Sequence, residues 1–199
     1  MAPGFFKMRR FFSVLVMCCA LGGCVLGSVN PFYTPDLAVE MPELYGDWTY
    51  EVNTEPGDSV LVTISPGKIA ISDKGLPPAD SRLTVFKVDG QLFADLYPDE
   101  GQFKFDLVGE GVPVHLVCLV TFKDGRLLFN PLDYEWLIKQ AQSGTVDIPY
   151  KRSSPQEDAD IVLTASPEQW VGFLKTYHSD PQAFPHTDEG WLIRKQTGP

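Results

Sequence analysis

The feature that most constrains this chain is the two-residue alternation of apolar and polar side chains that begins at Trp48 and continues to Phe129. Trp48, Tyr50 and Val52 share one face of a strand, with Thr49 and Glu51 on the other. Val60, Val62 and Ile64 repeat the pattern, as do Ile69 and Ile71, and runs at 83–88, 91–97, 103–108, 112–122 and 126–129 continue it. Pro66-Gly67, Asp89-Gly90 and Asp124-Gly125 separate neighbouring runs, and Asp-Gly supplies the positive φ values that a tight hairpin needs. Eight strand-like runs within about 85 residues predict an antiparallel meander that forms a barrel or half-barrel. In the run 112–122 the even positions (Val112, Val114, Leu116, Cys118, Val120 and Phe122) are apolar, and the odd positions include His115 and Thr121.

Two helices are expected to pack against this sheet, so the fold class is mainly β with α+β character. Asp133 caps a helix over 133–143 that carries Tyr134, Leu137, Ile138 and Ala141 on one stripe and is closed by Gly144. The second helix, 167–178, has Ser166 as N-cap, Pro167 in the first helical position and Gln169 where a capping box places it. Trp170, Phe173, Leu174 and Tyr177 form its apolar stripe, which reads as core. Between the helices, 145–150 and 161–164 read as strands, and a last strand at 191–194 returns to the sheet. Residues 46–199 are thus expected to be a single β-rich domain.

The N-terminus carries a different message. Lys7, Arg9 and Arg10 precede an apolar run, 11–21, and then Gly22-Gly23-Cys24, the layout of a secretory signal that is too short to span a membrane. Leu21-Gly22-Gly23-Cys24 resembles the lipobox of bacterial lipoproteins; Cys18 and Cys19 fit less well, because Met17 is bulky where the peptidase requires a small side chain. The resemblance implies that 1–23 is a signal peptide and that Cys24 becomes a lipidated N-terminus. It also implies several acyl chains there, enough for a stable anchor. Val25, where Asp would favour inner-membrane retention, implies the outer membrane of a bacterial envelope, facing the periplasm. Residues 24–45, with Pro31, Pro35 and Pro42, read as a flexible tether of roughly 25 Å r.m.s..

Charge and cysteine usage bound the partners. Removing the leader's three cations from 16 leaves 13 against 26 acidic residues, a formal charge of −13, which disfavours nucleic acid and eases contact with basic partners. Beyond Cys24 only Cys118 remains, in an apolar strand, so no intramolecular disulfide is expected and the thiol reads as buried and inert.

No standard catalytic constellation is present. The histidines are His115, His178 and His186, and no Gly-x-Ser-x-Gly elbow or phosphate-binding glycine loop occurs. His115 stands three residues before Cys118, which in a strand puts them on opposite faces. His115 and Asp95 are the candidate polar or ligand site, read first as a structural hydrogen-bonded pair. His178, Asp180, His186, Asp188 and Glu189 lie near one another in sequence but lack paired metal-ligand spacing, and His178 suits a helix C-terminus. Asp95, Asp99, Glu100 and Asp106 lack EF-hand spacing and read as a hairpin tip. No metal, cofactor or enzymatic activity is expected.

Two further resemblances follow. Asp95-Leu96-Tyr97-Pro98, Pro113-Val114-His115, 132–137, 162–166 and 180–184 together resemble a group of uncharacterised bacterial lipoproteins, a likeness that brings no site residues. Gly46-Asp47-Trp48 resembles the Gly-x-Trp signature of lipocalins, with Arg194 placed as the cation that covers such a Trp. The helix at 133–143 and the strands after it depart from lipocalin order, so a closed barrel and an open sheet covered by helices both remain open. Two functions fit. One is a non-catalytic, membrane-anchored interaction or assembly module with an envelope protein as partner, which the residues favour because it needs no cavity. The other is a lipocalin-like binder of a small apolar ligand or lipid.

Overall fold

The computed structural model describes residues 27–50, 60–72, 79–98, 105–107, 110–152, 161–185 and 190–195, with the backbone alone for 105–107 and 110–112. Eight antiparallel strands close a barrel. In chain order they are β1 (Gly46–Tyr50), β2 (Leu61–Ser65), β3 (Lys68–Ser72), β4 (Ala79–Val88), β5 (Gln91–Pro98), β8 (Leu116–Lys123), β9 (Arg126–Pro131) and β12 (Leu192–Arg194). They follow one another around the barrel, and β12 closes it between β9 and β1. The meander is therefore complete, and barrel rather than half-barrel is the answer. Asp89 and Gly90 have φ of 49° and 80°, and Asp124 and Gly125 have 53° and 73°, so both Asp-Gly pairs make the left-handed turns that match strand twist.

The described part of the run 103–108 does not join the barrel. Phe105–Leu107 (β6) pairs instead with Glu110–Val112 (β7) as a separate hairpin, and the eighth barrel position is taken by β12. The long run 112–122 also breaks. Pro113 offers no amide to a ladder, and β8 starts only at Leu116. Of the strand expected at 145–150, only Tyr150 enters one: Tyr150–Arg152 (β10) pairs with Ile161–Leu163 (β11).

Register sets which face each side chain takes. Leu83 pairs with Leu96, Val85 with Ala94, Leu92 with Val120 and Ala94 with Cys118, and these positions face the interior. Trp48, Val62, Ile64, Ile69, Leu127 and Leu192 complete the buried interior. Phe86 pairs with Phe93 and Asp95 with Val117, on the outer wall. That wall is covered by helix α1 (Tyr134–Gln142) and helix α2 (Pro167–Tyr177), through Leu137, Ile138, Trp170, Phe173 and Leu174. β8 is consequently buried on both faces, Val117 outside and Cys118 and Val120 inside. Both helices start as their sequences require. Asp133 accepts the Trp136 amide at 2.9 Å, and Ser166 and Gln169 form a reciprocal capping box.

Residues 27–45 are not a free tether. They form a strap that starts beside His115 and descends the outer wall of β4 and β5 to the end where the hairpin turns lie. Two short 3-10 turns, Pro35–Leu37 and Pro42–Leu44, shape its lower part, and Leu44 seals the barrel at that end. Of the prolines that suggested flexibility, Pro35 and Pro42 occupy first helical positions, where a missing amide costs nothing. Phe32 is fully buried against the Trp170 ring, with centroids 4.4 Å apart. Burial of that size stabilises by about 2–3 kcal/mol, more than ordering one residue of strap costs. Residues 1–23, expected from the sequence to be a signal peptide, and Cys24 lie outside the described residues.

Candidate functional site

The two candidate polar residues meet on the outer wall. Asp95 on β5 is 2 % exposed, and its Oδ1 lies 2.7 Å from His115 Nδ1 just ahead of β8. Alternation puts both on the face opposite Ala94 and Cys118. The other carboxylate oxygen accepts the Phe32 amide at 2.9 Å. The His115 backbone exchanges two hydrogen bonds with Ser28, at 2.8 and 3.0 Å, and Ser28 Oγ accepts the Trp170 indole N–H at 2.9 Å. The Tyr97 ring lies against the imidazole at 4.5 Å, and the Arg82 guanidinium lies over Tyr97 at the same distance. Among the described residues no buried side-chain nitrogen or oxygen lacks a partner.

A carboxylate that orients an imidazole supplies two of the three members of a catalytic triad, and the third must be a nucleophile within reach of the ring. Cys118 faces the barrel interior, and its thiol is pushed up to about 12, first by burial and then by the Asp95 charge. A protonated, enclosed thiol is a poor nucleophile. Asp95 and His115 form a clamp: one carboxylate accepts the Phe32 amide of the strap and pairs with the imidazole ahead of β8.

A second constellation closes one end of the barrel. The Arg194 guanidinium lies 4.6 Å from the Trp48 ring centroid and donates to the carbonyls of Tyr45 and Glu43. The Trp48 indole N–H donates to Leu44 at 2.9 Å, so the fully buried ring is held from both sides. Gly46 has φ of +130°, and a Cβ there would sit 2.7 Å from Arg194 Nη1. Glycine at this position is what lets the cation approach. That Arg194 covers Trp48 was expected from the lipocalin resemblance; its carbonyl ligands were not.

At the opposite end, Tyr50, Val60, Ile71 and Leu96 point inward by alternation but are only partly buried. Alternation marked Tyr50, Val60 and Ile71 as faces of separate strands, but only barrel closure turns them, with Leu96, toward a common mouth. The hairpin β6–β7 extends from this end. A separate cavity of about 240 Å3 lies near the plugged end, between strap residues Val39, Met41 and Tyr45 and barrel residues Leu83 and Val85. Tyr45 donates to Glu40 at its edge, which raises the phenol's pKa.

Of the remaining candidates, the described His178 and Asp180 have separate local partners. His178 is the C-cap of α2 and its ring nitrogen pairs with Ser179 at 2.8 Å; Asp180 accepts the Gln182 amide. His186, Asp188 and Glu189 lie outside the described residues, as do Asp99 and Glu100. Among the described residues no three His, Cys, Asp or Glu side chains are grouped to hold a metal. Comparison of the chain with protein-family models, with curated proteins and with solved structures found no match to any of them.

Proposed function

We propose that this is a membrane-anchored, non-catalytic envelope protein, lipidated at Cys24, whose barrel takes a small apolar ligand at its mouth. The sequence taken alone favoured a partner-binding module; closure of the barrel moves the balance to the binder. The supporting observation is the asymmetry of the barrel interior. One end is plugged by Trp48 under Arg194, and the other is lined by the partly buried Tyr50, Val60, Ile71 and Leu96. Eight-stranded barrels have room for their own side chains or for one small ligand. Here Trp48, Ile64, Ile69, Leu83 and Leu127 fill the plugged half, which confines a ligand to the mouth and makes it short or singly ringed. The Gly46-Asp47-Trp48 resemblance to lipocalins points the same way.

Native mass spectrometry on the protein extracted from envelope tests this reading. The expected result is a discrete added mass that disappears on denaturation and is lost in Leu96→Arg. A bare mass, together with no binding of a fluorescent fatty acid, would overturn the binder. The partner module, supported by the −13 charge of the processed chain, would then take its place, with in-cell cross-linking as its test.

A further inference from the structure

We propose that the mouth end of the barrel is held directly against the lipid bilayer, because the strap leaves almost no free chain between the anchor and the fold. This rests on the reading of Cys24 as the lipidated residue. The carrying observation is where the folded chain begins. Gly27 is buried, and its carbonyl accepts the Leu163 amide at 3.0 Å. A Cβ on Gly27 would lie 2.4 Å from Val114 Cγ2, so the strap is seated in a slot that only glycine fits. Ser28 is fixed at once by His115 and Trp170, and Phe32 by Asp95. From Cys24 to Gly27 there are three peptide steps, a reach of at most about 11 Å. The headgroup layer of one leaflet is itself about 5–8 Å thick. With acyl chains in the hydrocarbon, Gly27 and Ser28 are at headgroup level.

The strap also sets which end faces the lipid. His115 precedes β8 at the mouth end, where Leu96 pairs with Leu116. From there the strap runs away from the anchor, past Thr84 and Phe86, to the plugged end. The surface beside the anchor suits a bilayer. Val29, at 41 %, is the exposed large hydrophobic among the described residues, and it directly follows Ser28. Its amide donates to Leu163 on β11. Across β11, roughly 10 Å from Ser28 by strand spacing, β10 carries the exposed Lys151 and Arg152, which suit anionic headgroups. The acids of 157–160 follow them in sequence, outside the described residues.

The test uses the full chain, processed and lipidated, in vesicles of phosphatidylethanolamine and phosphatidylglycerol. An environment-sensitive fluorophore is attached in Val29→Cys or in Lys123→Cys, the latter at the plugged end, while buried Cys118 stays unlabelled. Brominated lipids are expected to quench the label at position 29 several-fold more than the label at 123. Equal quenching at the two positions, with the protein vesicle-bound and the lipid mass present on Cys24, would overturn this inference alone. Absence of the lipid mass on Cys24 would overturn the lipoprotein reading, and this inference with it.

Discussion

The barrel interior and the layer on its outer wall are both apolar, yet they are specified by different means. The interior is built of Trp48, Val62, Ile64, Ile69, Leu83, Ala94, Val120, Leu127 and Leu192, with no buried charge among the described residues. Alternation and tight turns bring these side chains together between strands that are mostly neighbours in the chain. The outer layer joins the strap, the walls of β4, β5 and β8, and two helices that arrive up to 140 residues later. It contains Ser28 and Asp95, each buried and each hydrogen-bonded across the layer. Apolar matter packs in many ways, whereas a buried carboxylate has few satisfied positions. The polar groups therefore fix where the strap docks, at the cost of being sensitive to loss of a partner.

Four mutations and one titration can break that comparison. Phe32→Ala should have the largest effect, about 3–4 kcal/mol in urea unfolding, because it empties a filled site against Trp170. A loss below about 0.5 kcal/mol would mean that the strap is the free tether its prolines suggested. Asp95→Ala should cost about 3 kcal/mol, since it leaves the Phe32 amide and the His115 ring without their acceptor. It should also raise proteolytic cleavage within residues 27–34 well before the barrel unfolds. Simultaneous loss of strap and barrel would show that the two regions are one cooperative unit.

Titration probes the interior. Burial raises the Cys118 thiol from 9.0 to about 12, so above pH 9 the unfolded chain gives up a proton that the folded one keeps. Stability is fully present below pH 9 and should fall by about 1.4 kcal/mol per pH unit toward 12. Tyr134, also raised well above 10.0 by burial, adds to the fall above that pH. A thiol reagent at pH 8 should label Cys118 only in denaturant; rapid labelling of the native protein would show that the interior is open.

The last two effects are smaller. Arg194→Met keeps the cover over Trp48 but removes the cation and its two carbonyl contacts, at an exposed site, and should cost about 1–1.5 kcal/mol with a red shift of tryptophan emission. Ser166→Ala removes one half of the capping box and should cost about 1 kcal/mol, read as early loss of α2 helicity.

Much of the architecture was legible because it is local. The turns at Asp89-Gly90 and Asp124-Gly125, the cap at Asp133 and the capping box at Ser166 each depend on four or five consecutive residues, and the structure has them all. One misreading has a long-range cause. The strap was read as a tether because the helix that buries Phe32 is distant from it in sequence. Asp95 and His115 were legible as a pair; that Asp95 holds Phe32 was not, since nothing near Phe32 in sequence announces a carboxylate acceptor.

By itself the sequence determined the strands, the turns between them, both helix starts and the residues from which a signal and anchor are read, all features set by neighbours along the chain. Closure of the barrel by β12, the seating of the strap and the position of the mouth beside its first residue were decided only by the tertiary structure. Each of these depends on contacts between residues far apart in sequence, and no local preference encodes where such residues meet.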